Sequence, residues 1–256
     1  MNIQKINRFL PYERDYKFLK KSKKIENILL YISIFCSGVS NINIDKIYLK
    51  IFYCFYLIII ILYFILSLYN EIILYPTTAE KRRKGFIDNS LGSKYLTEET
   101  KNYYSNDNLE KGPYKMLVNC YENCFFTLSI ANKMYFSMVL KSLFCFILML
   151  IIMYIGIKDN IFLINIIQGI ISVKIFVGFV HWIAFRNKLN QLIEKFKDFF
   201  STKNEEKTIE KSIFFVLEYE IALTSYKGSL DDKIYNKYRK DWTEEWESIK
   251  KRYEIK

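Results

Sequence analysis

The sequence predicts an all-α integral membrane protein with about four transmembrane helices. Hydrophobic residues make up 51% of the 256 residues, and they gather in a few uninterrupted runs instead of following the spacing of a soluble core. The runs match the length of helices that cross a bilayer, which need about 20 apolar residues. The basic residues, which give the chain a formal charge of +11, lie mainly between the runs.

The strongest and the weakest predicted spans are the first two along the chain. The run at 51–74 carries no charged residue before Glu71 and easily crosses a hydrocarbon layer about 30 Å thick. The run at 25–44 ends in a polar stretch, so it is predicted either to span or to lie in the membrane interface.

Two further spans are predicted at 135–157 and 161–185. Only the three residues 158–160 separate these two runs. Such a short polar turn barely clears the far surface of the membrane, so both runs are expected to span. Together they are predicted to form a helical hairpin.

Basic residues are distributed unevenly over the segments outside the runs. Residues 1–26 carry eight Lys and Arg, 75–133 carry nine and 186–256 carry sixteen, whereas the other two loops carry two and one. Because basic segments stay on the cytosolic side, the distribution favours four spans; three would place the insert or the tail outside. We therefore predict a multi-pass protein of the inner (plasma) membrane with both termini cytosolic and no cleavable signal peptide.

This topology divides the chain into five segments with different environments. They are a basic cytosolic N-terminus at 1–24, transmembrane helices one and two at 25–74, a cytosolic insert at 75–134, the hairpin of helices three and four at 135–185, and a cytosolic helical tail at 186–256. Ligands and partners are expected to bind the three cytosolic segments.

A basic cluster lies near the start of the insert. A helix is predicted to begin at Pro76, because proline is favoured in a first helical turn. Lys81, Arg82, Arg83 and Lys84 follow within this helix. The cluster is predicted to anchor the insert to anionic lipid headgroups, to bind an anionic ligand, or to do both.

A second amphipathic stretch occupies 114–126 and contains two cysteines. Cys120 and Cys124 share one helix face with neighbouring apolar residues. A lone CxxxC without nearby histidine is poor evidence for a metal site, so the two thiols are predicted to pack in a core. We predict no metal site and no cofactor.

The tail is predicted to form three helices, at 186–200, 205–228 and 231–256. In the last one, a mainly aromatic stripe recurs every three or four positions, namely Tyr235, Tyr238, Trp242, Trp246, Ile249 and Tyr253. This stripe is predicted to pack against other cytosolic helices or the same helix of a second subunit, or to stack on bases or nucleotides. Since basic and acidic residues nearly balance in the tail, binding to duplex nucleic acid is not expected.

Ionisable residues within the spans are the strongest candidates for a pore. Lys174 lies near the middle of the last span, and no Asp or Glu occurs at a similar depth. Gly178 and His181 follow at helical spacing, so the three residues are predicted to line a hydrated path. The alternatives are that the bilayer tolerates Lys174 and that His181 lies at the interface; Lys141 is expected to extend back to the headgroups.

The sequence does not predict an enzyme. The chain has one histidine and five scattered cysteines, which excludes the usual zinc hydrolase site. Phosphate-binding loops, dinucleotide fingerprints and nucleophile elbows are also missing from the sequence.

Two N-terminal spans are followed by a basic amphipathic helix that ends in GFIDNSLG, with Phe86, Asp88, Leu91 and Gly92, and then by a tight hairpin and a helical tail. This layout resembles the four-transmembrane pore-forming effectors of bacterial anti-phage systems, of the CBASS and Hailong types. Members of this group are paired with nucleotidyltransferases that make nucleotide second messengers. The resemblance implies a channel that such a nucleotide or oligonucleotide gates.

The resulting hypothesis is a homo-oligomeric ion channel in anti-phage defence that depolarises the membrane and arrests growth. Its cytosolic helices would bind the nucleotide, and a ring of Lys174 side chains would disfavour cations. The alternative is a non-conducting membrane anchor or assembly subunit that recruits a soluble partner through the aromatic face around Trp242 and Trp246.

Overall fold

The protein is described by a computed structural model that covers residues 9–39, 46–101, 103–158, 162–202, 208–226 and 230–255, without the side chains of 37–39, 46, 49, 148–149, 152–158, 162–175 and 208. All regular elements in these ranges are helical, which confirms the predicted all-α class. They are α1 (Glu13–Val39), α2 (Lys46–Tyr69), a π-helical turn (Asn70–Leu74), α3 (Tyr75–Leu91), α4 (Pro113–Lys158), α5 (Phe162–Ser201), α6 (Thr208–Ser225) and α7 (Asp232–Arg252).

The chain divides into two compact units, each assembled from separate stretches of sequence. Unit 1 consists of Met1–Asp15, Thr78–Tyr135 and His181–Lys256, and unit 2 consists of Tyr16–Thr77 and Phe136–Val180. Unit 2 thus contains most of the apolar runs, whereas unit 1 contains most of the predicted insert and tail.

Unit 2 carries apolar residues on both its inner and its outer surfaces. Its core is built by α1 and α2 from Leu30, Cys36, Tyr56, Ile59, Ile60 and Tyr63. The opposite face of α2 is equally apolar but exposed, with Ile51, Ile58 and Ile65 each more than half exposed. An amphipathic helix of a soluble protein would carry polar residues there.

Two helical stretches of the described chain are long and apolar enough to cross a bilayer. They are Lys50–Leu91 and Pro113–Ile147, which overlap the second and third predicted spans. The first predicted span is helical up to Val39, and its polar end lies outside the described residues. The fourth predicted span forms the first half of α5, of which residues 162–175 are described by backbone alone.

The structure starts α3 at Tyr75, one residue before the predicted start at Pro76, but α3 continues the preceding helix without a break. The chain is continuously helical from Lys46 to Leu91, and the π-helical turn precedes the proline. Within this turn the Tyr75 N–H bonds to the Asn70 carbonyl, five residues earlier. Because proline lacks an N–H and crowds the carbonyl four residues before it, the wider turn accommodates Pro76 without a break.

A polar network lies beside the π-helical turn, inside unit 2. The Asn70 side chain is fully buried, accepts a hydrogen bond from the Ser22 hydroxyl at 2.5 Å and donates one to Glu26 at 2.8 Å. These bonds satisfy the buried amide and connect α1 to the turn.

The amphipathic stretch at 114–126 is continuous with the third predicted span in the single helix α4. In the same way, the fourth span and the first tail helix are both parts of α5. The sequence suggested boundaries at 134–135 and 185–186 because the composition changes there from polar to apolar. The backbone stays helical because neither junction contains Gly or Pro, the residues that most often end a helix.

Unit 1 has an aromatic core. The Tyr121 ring of α4 stacks on Phe196 of α5 at 4.7 Å between centroids and meets the edge of Trp246 of α7 at 5.1 Å. Phe215 of α6 stacks on Phe196 from the other side at 4.3 Å. Each of these rings is almost fully buried, so this stack is a core shared by four helices.

Candidate functional site

The basic cluster at residues 81–84 is paired with carboxylates of unit 1. Its ion pairs are Lys81 with Asp15 at 2.9 Å, Arg82 with Glu220 at 2.5 Å, Arg83 with Glu220 at 3.7 Å, and Lys84 with Glu80 at 2.7 Å. The Arg82 guanidinium donates to both oxygens of Glu220, and both side chains are mostly buried. The positive charge of the cluster is therefore largely compensated within the chain, although its binding of a ligand stays a prediction.

The GFIDNSLG element forms the end of α3 and the turn that follows it. The Asp88 carboxylate accepts hydrogen bonds from the Ser93 hydroxyl and from the backbone N–H groups of Tyr95 and Leu96, at 2.7 to 2.9 Å. Gly92 ends the helix at a φ of 76°, and its N–H bonds to the Asp88 carbonyl. Such a positive φ favours glycine, so this element is a helix C-cap with an anchored loop.

A close backbone approach explains the glycine at position 85. A Cβ atom there would lie 2.6 Å from Cε1 of Tyr12, whose ring is buried. Only glycine therefore lets the N-terminal segment pack on α3.

Buried polar residues of α4 form a network with the preceding loop and with α7. Glu122 accepts hydrogen bonds from the Asn106 amide at 2.6 Å and from the Ser105 N–H at 3.3 Å. The Asn106 amide also donates to Asn119 at 3.1 Å. The Trp246 indole N–H donates to the Ser105 hydroxyl at 2.9 Å, so α7 contacts the same loop.

Glu122 has an unusual protonation equilibrium. Burial raises the pKa of its carboxyl to about 7, while the Ser105 N–H and the nearby Lys250 partly oppose the shift and Glu247 adds to it. Glu122 therefore titrates near neutral pH inside the core of unit 1.

The sequence analysis did not identify Glu122, yet a signal was present. Lys115, Asn119 and Glu122 lie at i, i+4 and i+7, so they form a polar stripe along one face of α4. All three are buried, and the stripe lies beside the face that carries the predicted apolar residues. A polar stripe next to an apolar face usually faces solvent, and here a loop covers it instead.

Cys120 and Cys124 of α4 face the core of unit 1. The Cys120 thiol donates to the Phe215 carbonyl at 3.7 Å, and the Cys124 thiol donates to the Leu189 carbonyl at 3.8 Å. Burial raises the pKa of both thiols, so they stay protonated. Among the described residues, no group of three His, Cys, Asp or Glu side chains is placed to hold a metal ion.

The aromatic stripe of α7 packs within its own chain. Trp246 is fully buried against Tyr121 and Phe125, and Trp242 is 7% exposed and stacks on Tyr238. Tyr235 meets the ring of Phe126 and remains half-buried. The stripe therefore packs on α4 of the same chain, and a partner or second subunit would meet only the outer tyrosines.

The predicted pore residues lie on α5. The side chain of Lys174 is outside the described residues. Among the described residues, a Cβ atom at Gly178 would meet nothing within 4 Å beyond the adjacent turns of its own helix, and His181 is exposed. Lys141 on α4, the lysine expected to extend to the headgroups, is exposed as well. The pore-lining role of Lys174, Gly178 and His181 stays a prediction.

Comparisons of the chain with protein families, with curated proteins and with solved structures find no match. The function must therefore be inferred from the residues of this chain and their geometry.

Proposed function

We propose that the protein is a multi-pass integral membrane protein whose unit 2 lies in the bilayer. The observation that carries this proposal is the apolar outer surface of unit 2. On α4, Phe136 is 75% exposed and Phe144 is 61% exposed, in addition to the exposed isoleucines of α2. Lipid is the environment in which an apolar core and an apolar surface are both stable.

Unit 1 is the cytosolic part in this proposal. Its segments contain most of the basic residues outside the apolar runs, as the positive-inside rule requires. Four spans, formed by α1, α2 and the apolar parts of α4 and α5, place all these segments on one side. The membrane is then the inner (plasma) membrane, with both termini in the cytosol.

Cysteine labelling tests this topology. In a Cys54→Ser background, which removes the exposed native thiol, we expect Lys50→Cys to react with a membrane-impermeant maleimide added to intact spheroplasts. Glu99→Cys and Thr202→Cys should react only after permeabilisation, because they lie in the insert and the tail. The remaining native cysteines are buried, so the background without a new cysteine is the control. Labelling of either cytosolic site in intact spheroplasts would contradict four spans.

We further propose that the protein is an oligomeric ion channel gated by a nucleotide second messenger, an effector of anti-phage defence whose opening depolarises the cell. The resemblance to pore-forming effectors supports this function. So does the position of Lys174 near the middle of a predicted span in which no Asp or Glu occurs at a similar depth. The open space beside Gly178 fits a helix face that lines water. Neighbouring subunits would supply the other walls of the pore.

Conductance in planar bilayers tests the channel. We expect purified protein to conduct ions either with or without added nucleotide, and Lys174→Ala to shift the reversal potential towards cation preference, because a ring of positive charges repels cations. Lys141→Ala is the matched control, since it removes a lysine that is predicted to extend to the headgroups, and it should leave selectivity unchanged. If Lys174→Ala matches the wild type in conductance and selectivity, the pore does not pass Lys174.

A non-conducting anchor that recruits a soluble partner is the second candidate. One observation favours it: Ile209, Ile213, Leu217 and Ile221 form a stripe at four-residue spacing on α6, and each is at least half exposed. This stripe is a better docking surface than the buried Trp242 and Trp246. The anchor would be established by two results together. The wild-type protein is inserted and folded but never conducts, and the Leu217→Glu variant no longer binds the soluble partner.

A further inference from the structure

A pocket of about 340 Å³ lies in unit 1 beside the start of α4. Its walls come from the end of α3, the loop before α4 and the first turn of α4. Its volume falls within the usual range for small-molecule sites, about 300–1,000 Å³. The groups that bear on its chemistry are Asn89, Thr100, Lys101, Asp107, Lys111 and Lys115.

Two polar side chains of low exposure in the pocket wall have no partner among the residues that the structure describes. Lys115 is 4% exposed, and among the described residues its ammonium makes no hydrogen bond or ion pair. Thr100 is 8% exposed, and its hydroxyl makes no hydrogen bond within the described part of the chain. Both side chains line the pocket, so an anion bound there would give the Lys115 ammonium and the Thr100 hydroxyl an acceptor.

Two further lysines are held at the rim by the fold. The backbone of Lys101 exchanges two hydrogen bonds of 3.0 Å with Phe9, which fixes its position. The Lys111 side chain lies across Gly92, where a Cβ atom would come within 2.7 Å of its Cδ. The N-terminus of α4 adds its partial positive charge to that of the three lysines.

The acidic residues of the pocket wall differ in their hydrogen-bond and ion-pair partners. Asp88 accepts the three hydrogen bonds of the α3 cap, and Glu99 lies 3.9 Å from Lys111. Asp107 makes no hydrogen bond or ion pair with the described residues, so it is an available acceptor. The pocket thus offers several donors to an anion and one carboxylate to a hydrogen-bond donor.

We propose that this pocket binds a nucleotide, with its phosphate on Lys115 and its base amino group towards Asp107. Thr100, Lys101 and Lys111 supply further donors to the phosphate oxygens. The inference rests on the proposed function for the nucleotide class, and it assigns the ligand to the start of α4 instead of to the paired cluster at 81–84. A nucleotide offers a phosphate to the Lys115 ammonium and an amino group to the exposed Asp107 carboxylate, whereas inorganic phosphate offers only the first.

Isothermal titration calorimetry on the full chain in detergent tests this assignment. The probes are the four ribonucleoside 5′-monophosphates, each alone, then inorganic phosphate and phosphatidylglycerol vesicles. We expect at least one monophosphate to bind the wild type at least tenfold more tightly than inorganic phosphate. Lys115→Met, which keeps the apolar stem, should weaken that binding at least tenfold, whereas the matched control Lys84→Met should change it less than twofold.

Further variants keep the test decisive. If Lys115→Met does not fold, Lys101→Ala replaces it, because this lysine is exposed; a threefold to tenfold loss is expected. Unchanged affinity in the pocket variant, binding to vesicles alone, or equal affinity for inorganic phosphate would overturn the assignment. Conductance separates the two proposals, since a channel that binds no monophosphate refutes the pocket alone, whereas a nucleotide-binding protein that never conducts refutes the channel alone.

Discussion

Replacing Glu122 by glutamine is expected to remove most of the pH dependence of unfolding of unit 1 between about pH 4.5 and 7. The wild type should lose about 3 kcal/mol of stability across this range, because the pKa of Glu122 rises from 4.5 to about 7 on burial. Glutamine has nearly the same shape and keeps an oxygen for the Asn106 amide, but it carries no charge at any pH. The variant should therefore be the more stable protein at pH 8.

The sign of this effect follows from the proton count. Between pH 4.5 and 7 the carboxyl of Glu122 is protonated in the folded protein and ionised in the unfolded chain, so unfolding releases a proton. Raising the pH then favours unfolding, and stability falls by about 1.4 kcal/mol per pH unit until the folded carboxyl also ionises. Above pH 7 the loss is complete, and below pH 4.5 it is absent.

Urea unfolding in detergent, followed by tryptophan emission at several pH values, measures this effect. All three tryptophans of the chain, Trp182, Trp242 and Trp246, are buried and belong to unit 1, so the signal reports on that unit. Glu245→Gln on the exposed face of α7 is the matched control, and it should keep the wild-type pH profile. Equal pH profiles for wild type and Glu122→Gln would show that this carboxyl is not the titrating group.

Titration of Glu122 near neutral pH also bears on the structure of the loop at 103–107. Ionisation of Glu122 strengthens its hydrogen bonds with Ser105 and Asn106 but leaves a charge in the core. Asp107, in the wall of the proposed nucleotide pocket, belongs to the same loop. We therefore expect nucleotide affinity to change with pH in the wild type more than in Glu122→Gln.

The sequence predicted the elements of this fold better than their ends. The aromatic spacing of α7 indicated the helix, and the tryptophans at its centre are buried as an amphipathic stripe requires. The start predicted at Pro76 lies one residue from that of α3, but proline suits a widened turn within a continuous helix as well as a free helix start. A hydropathy pattern does not distinguish these cases, which differ only in backbone hydrogen bonding.

The candidate site was less predictable, because its contacts join distant parts of the sequence. The basic residues at 81–84 were visible, yet their main partner, Glu220, lies 138 positions after Arg82. Lys115 and Glu122 were not identified from the sequence, because burial by a loop does not follow from periodicity. The sequence does not indicate which segments cover these residues, because that depends on packing between distant parts of the chain.

Charge reversal at Arg82 is expected to be the most destabilising single change in the basic cluster. The Arg82 guanidinium and the Glu220 carboxylate are 18% and 17% exposed and form two hydrogen bonds. Arg82→Glu would place two carboxylates together in a mostly buried site. We expect a loss of about 3 kcal/mol in the unfolding free energy, since breaking a buried pair costs about 3–5 kcal/mol and partial exposure reduces this.

A charge swap separates the ion pair from any role of Arg82 in ligand binding. Glu220→Arg combined with Arg82→Glu restores opposite charges and should recover about half of the lost stability. Recovery is incomplete because Arg83 lies 3.7 Å from Glu220 and would then face another arginine. Lys84→Glu is the surface control; its partner Glu80 is 56% exposed, and the expected loss is below about 1 kcal/mol.

Urea unfolding followed by tryptophan emission measures the stability of the wild type, Arg82→Glu, the charge-swapped double variant and Lys84→Glu. If the swapped protein is no more stable than Arg82→Glu, then Arg82 and Glu220 do not stabilise unit 1 through their mutual contact. If the swap restores stability and monophosphate binding stays at the wild-type affinity, Arg82 holds α3 to α6 and takes no part in recognising the ligand. Stability restored with binding lost would instead place the arginine in the ligand site, because a reversed pair supports the fold but presents the wrong charge to a phosphate.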